Sequence, residues 1–382
     1  MKMPDGAKTN AALTEIKRLI KAQGPMTFAR FMDLALYFPV HGYYTSGRKP
    51  WGPEGDYITN IDVSPVFART LAKQIAEMHA AIGAPDDFVL IEAGAGRALL
   101  SVGIYDSLKE LSPSLYKSIE IKLVEKNSAL AECTDKMPGN FSWHDDLAGL
   151  PGKITGCIIS NELIDAMPVH RVVFQKGRLH EIYVGADESG LFDVIDEPST
   201  SDLNDYFRVS GLSLEEGQVA EVNLAMSNWM TEAASIIDRG FIITVDYGVP
   251  ARELYSPERG STIHCHYRHT LNKDPYERVG EQDITAHVDF SALVRAGQQA
   301  DAQLTGFTTQ KNFLLGLGIT DEAAGHGAMD IAGLDNIRRN RMIKELILPG
   351  GMGDIFKVLV MHKGIPRPEL KGFSFRDMGK FL

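Results

Sequence analysis

The sequence predicts an α/β fold: a doubly wound, mostly parallel sheet with a helical N-terminal extension and an inserted α+β segment. Three observations predict it. Short apolar runs alternate with helical stretches from residue 88 onward, the rhythm of a parallel sheet with helices on both faces. The first run ends in Gly94-Ala95-Gly96 and the next in Glu125, ligand-type residues at the strand ends where such sheets bind ligands. The sheet pattern also returns after a polar interruption, so the sequence reads as one elaborated α/β domain rather than two independent ones.

The elements follow in order. Residues 7–38 read as helical, with Leu13, Ile16, Leu19 and Ile20 at helical spacing and Phe28, Phe31, Leu34 and Leu36 following Gly24-Pro25. Gly and Pro punctuate a loop from His41 to Asp56. Ser64-Pro65 supplies an N-cap and first-turn pair for a helix over 64–82. Strands are then expected at 88–93, 119–125, 141–144 and 156–160, separated by helices at 99–111 and 128–137. Lys176-Gly177 joins 169–175 to 178–184 as a β-hairpin. Residues 186–217, rich in Asp, Ser, Gly and Pro, read as inserted. A helix over 218–237 precedes a fifth strand at 240–246. A polar loop (247–282), helices at 290–300 and 321–348 and a late strand at 354–362 complete the chain. The segments are thus 1–55, the helical extension and loop; 56–175, the ligand-binding half of the core; 176–239, the inserted segment on the substrate side; and 240–382, the rest of the core sheet.

Glu92-Ala93-Gly94-Ala95-Gly96 leaves a strand for a helix, and its glycines let the backbone turn and an adenosine approach without a Cβ in the way. A dinucleotide-binding loop requires G-x-G-x-x-G to seat a pyrophosphate on the helix N-terminus, and Leu99 occupies the third glycine position. S-adenosylmethionine carries no phosphate, so an acid-G-x-G strand end suffices for it. Glu125 at the second strand end offers a carboxylate to both ribose hydroxyls. Asp145 and Asp146, followed by Leu147, stand where the third strand ends and adenine would sit. A strand-end Glu taken alone is a solvated residue, and an Asp is routinely a helix cap. Three such groups at successive strand ends favour the ligand.

After the fourth strand comes Asn161-Glu162-Leu163-Ile164-Asp165-Ala166-Met167-Pro168. Methyl transfer is an in-line displacement, so the protein mainly aligns the nucleophile and removes its proton. For a guanidinium, with a pKa above about 12, carboxylates hold the cation and take the proton. Glu162 and Asp165 suit that role and Asn161 suits positioning; a capped, hydrogen-bonded loop is the competing reading, above all for Asp165.

Several motifs occur together in order: Gly55-Asp56-Tyr57-Ile58-Thr59 through Ser64-Pro65-Val66-Phe67, Glu92 to Arg97, Leu123-Val124-Glu125, Asn161 to Pro168, Asp246-Tyr247-Gly248, and Asp283-Ile284-Thr285-Ala286-His287-Val288-Asp289-Phe290. This pattern, over about 27–362, resembles the MidA-type methyltransferases, the family that includes the mitochondrial complex I assembly-factor arginine methyltransferase. The resemblance implies a class I methyltransferase (Rossmann-like) fold, S-adenosylmethionine as methyl donor and a protein arginine as acceptor, with a respiratory complex I subunit as partner. Carried over by position, Glu92, Gly94 and Gly96 line the cofactor, Glu125 holds its ribose, and Asn161, Glu162 and Asp165 stand at its reactive end. Thr59 and Ser64 approach its methionine part. The family loop usually reads G-P-G-R-G, and Ala98 stands here for the last glycine, a change a helix start tolerates. A small-molecule acceptor and a non-catalytic assembly factor keeping this fold are the alternatives.

Other signals set limits. A net charge of −11 counts against nucleic-acid binding, and no apolar run is long enough to span a bilayer. Cys133, Cys157 and Cys265 form no C-x-x-C pair or disulfide framework. With an N-terminus lacking an apolar signal core, this gives a cytoplasmic expectation. The run His264-Cys265-His266-Tyr267-Arg268-His269 lacks the second cluster a tetrahedral metal site needs, so no metal is expected. His287 and Tyr44 are candidate substrate contacts, with packed, hydrogen-bonded roles as the alternative. A homodimer is left open.

Overall fold

Aliphatic and β-branched runs become strands where both faces can be covered, and sixteen strands are found among the described residues. The protein, seen in a computed structural model, is described over residues 10–47, 55–56, 65–127, 130, 137–150, 152–323, 334–348 and 350–382. In chain order the strands are β1 Met26–Thr27, β2 Phe88–Ala93, β3 Glu120–Val124, β4 Phe141–His144, β5 Ile154–Asn161 and β6 His170–Gln175. Next come β7 Arg178–Ala186, β8 Leu191–Asp196, β9 Val219–Val222, β10 Ile237–Val249 and β11 His264–Tyr267. The last are β12 Thr270–Asn272, β13 Asp283–Thr285, β14 Val288–Asp289, β15 Gln303–Thr309 and β16 Phe356–Lys363. Contacts group the chain into two compact units.

The larger unit holds Ile58–Asp165, Met226–Ala251 and Val288–Leu382. Its sheet runs β15-β16-β10-β5-β2-β3-β4, with β14 alongside β10. The β4-β3-β2-β5-β10 run is parallel throughout, while β16 is antiparallel to both β10 and β15. Strand order reverses between β2 and β5, which makes the crevice outside their C-terminal ends the switch point of the sheet. β2 is buried along its whole length, as a central parallel strand must be. Helices Pro65–Ala81 and Leu99–Leu111 pack on it through Phe67, Leu71, Ile75, Leu100, Ile104 and Leu108 in one apolar cluster. The expected helix and strand boundaries between 65 and 161 agree with these elements; the expected helix over 128–137 falls largely outside the described residues.

The smaller unit holds Met1–Tyr57, Ala166–Ala225 and Arg252–His287. Helices Ala11–Gln23 and Phe28–Tyr37 share an apolar cluster with Val169, Val184, Ile263, Cys265 and Ile284. The hairpin of β6 and β7 turns at Lys176 (φ 54°) and Gly177 (φ 74°), two left-handed residues that match the twist of the paired strands.

Four expectations are corrected, and the inserted segment, read as α+β, shows a strand and a helix. The stretch 218–237 is not one helix, because Val219–Val222 pairs antiparallel with β6 and only Leu224–Ile236 is helical. The insert 186–217 carries β8 and helix Asp202–Ser210, and the polar stretch 247–282 carries β11 and β12. β15 replaces an expected connection, bulged between Leu304 and Gly306, and the described residues of the expected helix 321–348 include the end of the 3-10 turn Ile319–Ala323 and helix Leu334–Ile347.

Candidate active site

Register puts the candidate residues on one edge of the sheet. Ala93 aligns with Val124 and with Ser160, Val124 with His144, and Asn161 with Val245. Gly94, Glu125, Asp145, Glu162 and Asp246 are therefore each the first residue past these aligned positions. Parallel strands bring this about because all of them end on the same side.

The glycine loop is fixed first. Gly94 and Gly96 hold φ of 72° and 51°, left-handed values glycine adopts at no steric cost. A Cβ on Gly94 would come within 2.8 Å of Leu163 Cδ1, so the loops after β2 and β5 touch at this point and leave no room for a side chain. Ala98 is also left-handed, at φ 56°, and caps helix Leu99–Leu111 without a side-chain bond. It is thus not an ordinary helix-start alanine, and it holds a conformation that costs an L-residue about 1–2 kcal/mol.

Glu92 supplies the missing cap from the neighbouring strand. Its Oε2 accepts from Ser101 N at 3.0 Å, in the first turn of that helix. Burial pushes its carboxyl up to about 7, while the Ser101 bonds pull it down. The structure therefore shows Glu92 as an interior cap beneath the loop.

Glu125 is half-buried at the loop's rim. Its Oε2 accepts from Gly96 N at 3.0 Å and its Oε1 from Asn127 N at 2.9 Å, so its carboxylate is oriented by backbone on both sides. A carboxylate offers about four lone-pair sites, and two remain for a ligand diol. Asp145 is exposed at the edge. Asp146 Oδ1 accepts from Gly149 N at 2.7 Å in a turn, and Leu147 is buried.

Across the crevice, Glu162 is left-handed at φ 53°, its N–H donating to Val245 O at 3.0 Å. Asn161 Nδ2 donates to Glu162 Oε1 at 3.1 Å, and Asn161 Oδ1 is buried without a hydrogen-bond partner. A buried acceptor left unmatched is rare in folded proteins and marks a place where a donor is wanted. Asp165 is buried at 5% exposure. A residue to which the sequence reading assigned no role joins this group: Asp246, fully buried, accepts from Ile164 N and from Tyr247 N, each at 2.8 Å. The signal was present in Asp246-Tyr247-Gly248 at the end of the fifth strand.

Four candidates remain. Thr59 and Ser64 lie outside the described residues. Tyr44 and His287 belong to the smaller unit. There Tyr44 donates to Asp283 Oδ1 at 2.9 Å and stacks on Tyr37, and His287 Nδ1 lies 3.2 Å from Arg259 Nη2. The tract His264–Tyr267 is β11, bonded on both sides by β12 and β13. Among the described residues no helix is long and apolar enough to cross a membrane.

The glycine cradle and the half-exposed Glu125 fit an adenosyl ligand without phosphate. Residues 70–308 match the family described as "Putative S-adenosyl-L-methionine-dependent methyltransferase". The chain belongs to that family. Superposition agrees: a superfamily member from Burkholderia thailandensis, solved bound to S-adenosyl-homocysteine, is 30% identical with a TM-score of 0.86, covering 100% of both chains. The methyltransferase is also similar to the mitochondrial protein arginine methyltransferase NDUFAF7 homolog of Drosophila melanogaster, 26% identical over 92% of this chain and 84% of that protein. The Homo sapiens protein arginine methyltransferase NDUFAF7, mitochondrial, is 25% identical over 94% of this chain and 84% of its own length. The mostly parallel sheet, the methyltransferase activity and S-adenosylmethionine as its cofactor therefore stand. The cytoplasmic expectation does not, because these relatives are named mitochondrial. Cysteine usage separates reducing from oxidising surroundings, not one reducing compartment from another.

Proposed function

We propose that this methyltransferase acts on arginine side chains of a protein. The observation that carries the reading is the pairing of Glu162 with Asn161, whose Oδ1 is buried and unmatched beside the cofactor loop. A carboxylate and an amide oxygen together suit a planar donor group such as guanidinium. The names of the mitochondrial relatives support the same acceptor, and the family resemblance favours a respiratory complex I subunit as the protein that carries it.

In this reading Gly94 and Gly96 line the adenosyl group and Glu125 holds the ribose hydroxyls. When bound, the cofactor supplies an electrophilic methyl carbon on a sulfonium. Glu162, steadied by the Asn161 amide, would hold the guanidinium with one nitrogen facing the methyl group and accept its proton as the N–C bond forms and the S–C bond breaks, the sulfur leaving as the thioether of S-adenosylhomocysteine. Asp165 adds negative charge behind it. Alignment and proton removal are the contributions methyl transfer needs from the protein.

The test is label transfer from tritiated S-adenosylmethionine into proteins of a lysate, followed by amino-acid analysis. Methylarginine is expected, and Glu162→Gln should lower the rate about a hundredfold while S-adenosylhomocysteine binding persists. Label confined to lysine or to small molecules would overturn the acceptor, and full activity in Glu162→Gln would overturn the role of that residue.

A further inference from the structure

We infer that Asp246 is a positioning residue for methyl transfer: its buried carboxylate ties down the Ile164 N–H in the loop after β5 and so helps fix the backbone from which Glu162 projects. The inference rests on the role proposed for Glu162.

The loop and the carboxylate meet across 82 residues of sequence. Asp246 Oδ2 accepts from Ile164 N at 2.8 Å. Its Oδ1 accepts from Tyr247 N at 2.8 Å, and the Tyr247 ring packs on Phe356 with centroids 4.1 Å apart. The carboxylate is therefore anchored on β10 and reaches over to β5. Nothing in strand packing calls for an acid here: a buried carboxyl is costly unless hydrogen bonds compensate it, and an apolar residue would fill the space more simply. What the acid adds is an acceptor for the Ile164 N–H of an irregular turn and a second for Tyr247 N.

That turn needs holding. Glu162 is a non-glycine residue at φ 53°, a conformation that persists only where the surroundings over-determine it. Its own N–H is tied to Val245 O, the residue before Asp246. The end of β10 thus grips the loop on both sides of Leu163: at Glu162 through backbone and at Ile164 through the Asp246 side chain. The hydrogen bonds of Glu125 and the glycine loop lie among β2, β3, β4 and the residues that follow them, while the loop after β5 meets Gly94 through the Leu163 side chain, so cofactor affinity and transfer rate are measured side by side.

Asp246→Asn keeps the shape and turns one acceptor into a donor that faces an N–H. Three readouts apply to the full chain. Titration calorimetry with S-adenosylhomocysteine should give a Kd within about threefold of wild type. Label transfer from S-adenosylmethionine should slow by about tenfold or more with little change in KM for the donor, the effect of one lost buried acceptor. Amide exchange over 162–165 should quicken by about tenfold while the strands 88–93 and 120–124 keep their protection. Unchanged transfer, unchanged loop exchange, or a loss of transfer matched by an equal loss of S-adenosylhomocysteine affinity would each overturn the inference. Should Asp246→Asn fail to fold, wild-type exchange decides: a slow amide at Ile164 without ligand supports it, and exchange there at open-loop rates overturns it. A wrong acceptor would show instead as missing methylarginine in the wild type, with the exchange result unaffected.

Discussion

Glu125→Gln isolates the hold on the ribose. In the wild type the two carboxylate oxygens accept from Gly96 N and Asn127 N at 3.0 and 2.9 Å, which leaves one further acceptor site on each for a hydroxyl of the diol. Glutamine keeps one oxygen and turns the other into an NH2 that faces an N–H. Two costs follow, and they read out separately. The backbone bond is lost with and without ligand, so it lowers stability by about 1 kcal/mol and barely touches affinity. The hydroxyl bond exists only in the complex. Hydrogen bonds to a charged group contribute about 1.5–3 kcal/mol, which is a roughly 10- to 150-fold rise in Kd. Calorimetry with S-adenosylhomocysteine at fixed pH and salt measures that rise, and a 2′-deoxy analogue completes a thermodynamic cycle. If Glu125 grips the diol, the variant loses much less affinity for the deoxy analogue than for the parent ligand. A Kd within about twofold of wild type, or equal losses for both ligands, would refute the assignment.

Two other substitutions probe the ground beneath the loop. Gly94→Ala forces an L-residue to φ 72° and pushes its methyl to 2.8 Å from Leu163 Cδ1; a stability loss of about 1–2 kcal/mol from the backbone alone is expected in urea unfolding, together with weaker S-adenosylhomocysteine binding, and unchanged midpoints would contradict it. Glu92 has its carboxyl pushed up to about 7 by burial, so the fold prefers its protonated form; that contribution is complete below the ordinary carboxylate range and is lost as pH climbs toward 7. Glu92→Gln imitates the protonated acid and keeps an oxygen for Ser101 N, so it should match wild type near about pH 5 and exceed it near about pH 8. Equal destabilisation at both values would show that the charge itself is required.

The sheet and its ligand edge were readable because their signals are local. Phe88-Val89-Leu90-Ile91 followed by Glu92-Ala93-Gly94-Ala95-Gly96 states strand, turn and helix entry within nine residues, and Glu125 stands at its strand end whatever the rest of the chain does. What stayed hidden depends on partners far along the chain. Val219–Val222 continues a helix-like composition and becomes a strand only because β6 offers an edge, a tertiary choice that overrides propensity. Gln303–Thr309 has too few apolar residues to announce a strand, and its bulge at Gly306 makes room for the Phe373 ring. Asp246 was visible as a motif, yet its bond to Ile164 joins residues 82 positions apart. Ala98 looked like a routine helix start because a sequence does not display the sign of φ.

The placement of β16 has a consequence for how the chain is made. This strand lies between β10 and β15 and bonds to both, although it is the last strand in the sequence. Until residue 363 has left the ribosome, β10 lacks its antiparallel neighbour and β15 lacks the one strand it pairs with among the described residues. Emerging chain must therefore wait, with aliphatic surface uncovered, for its final segment to slot into the middle. Slow, late closure of this kind is expected of sheets dominated by distant pairings. A chain cut short before Phe356 would lose an interior rung instead of an outer one.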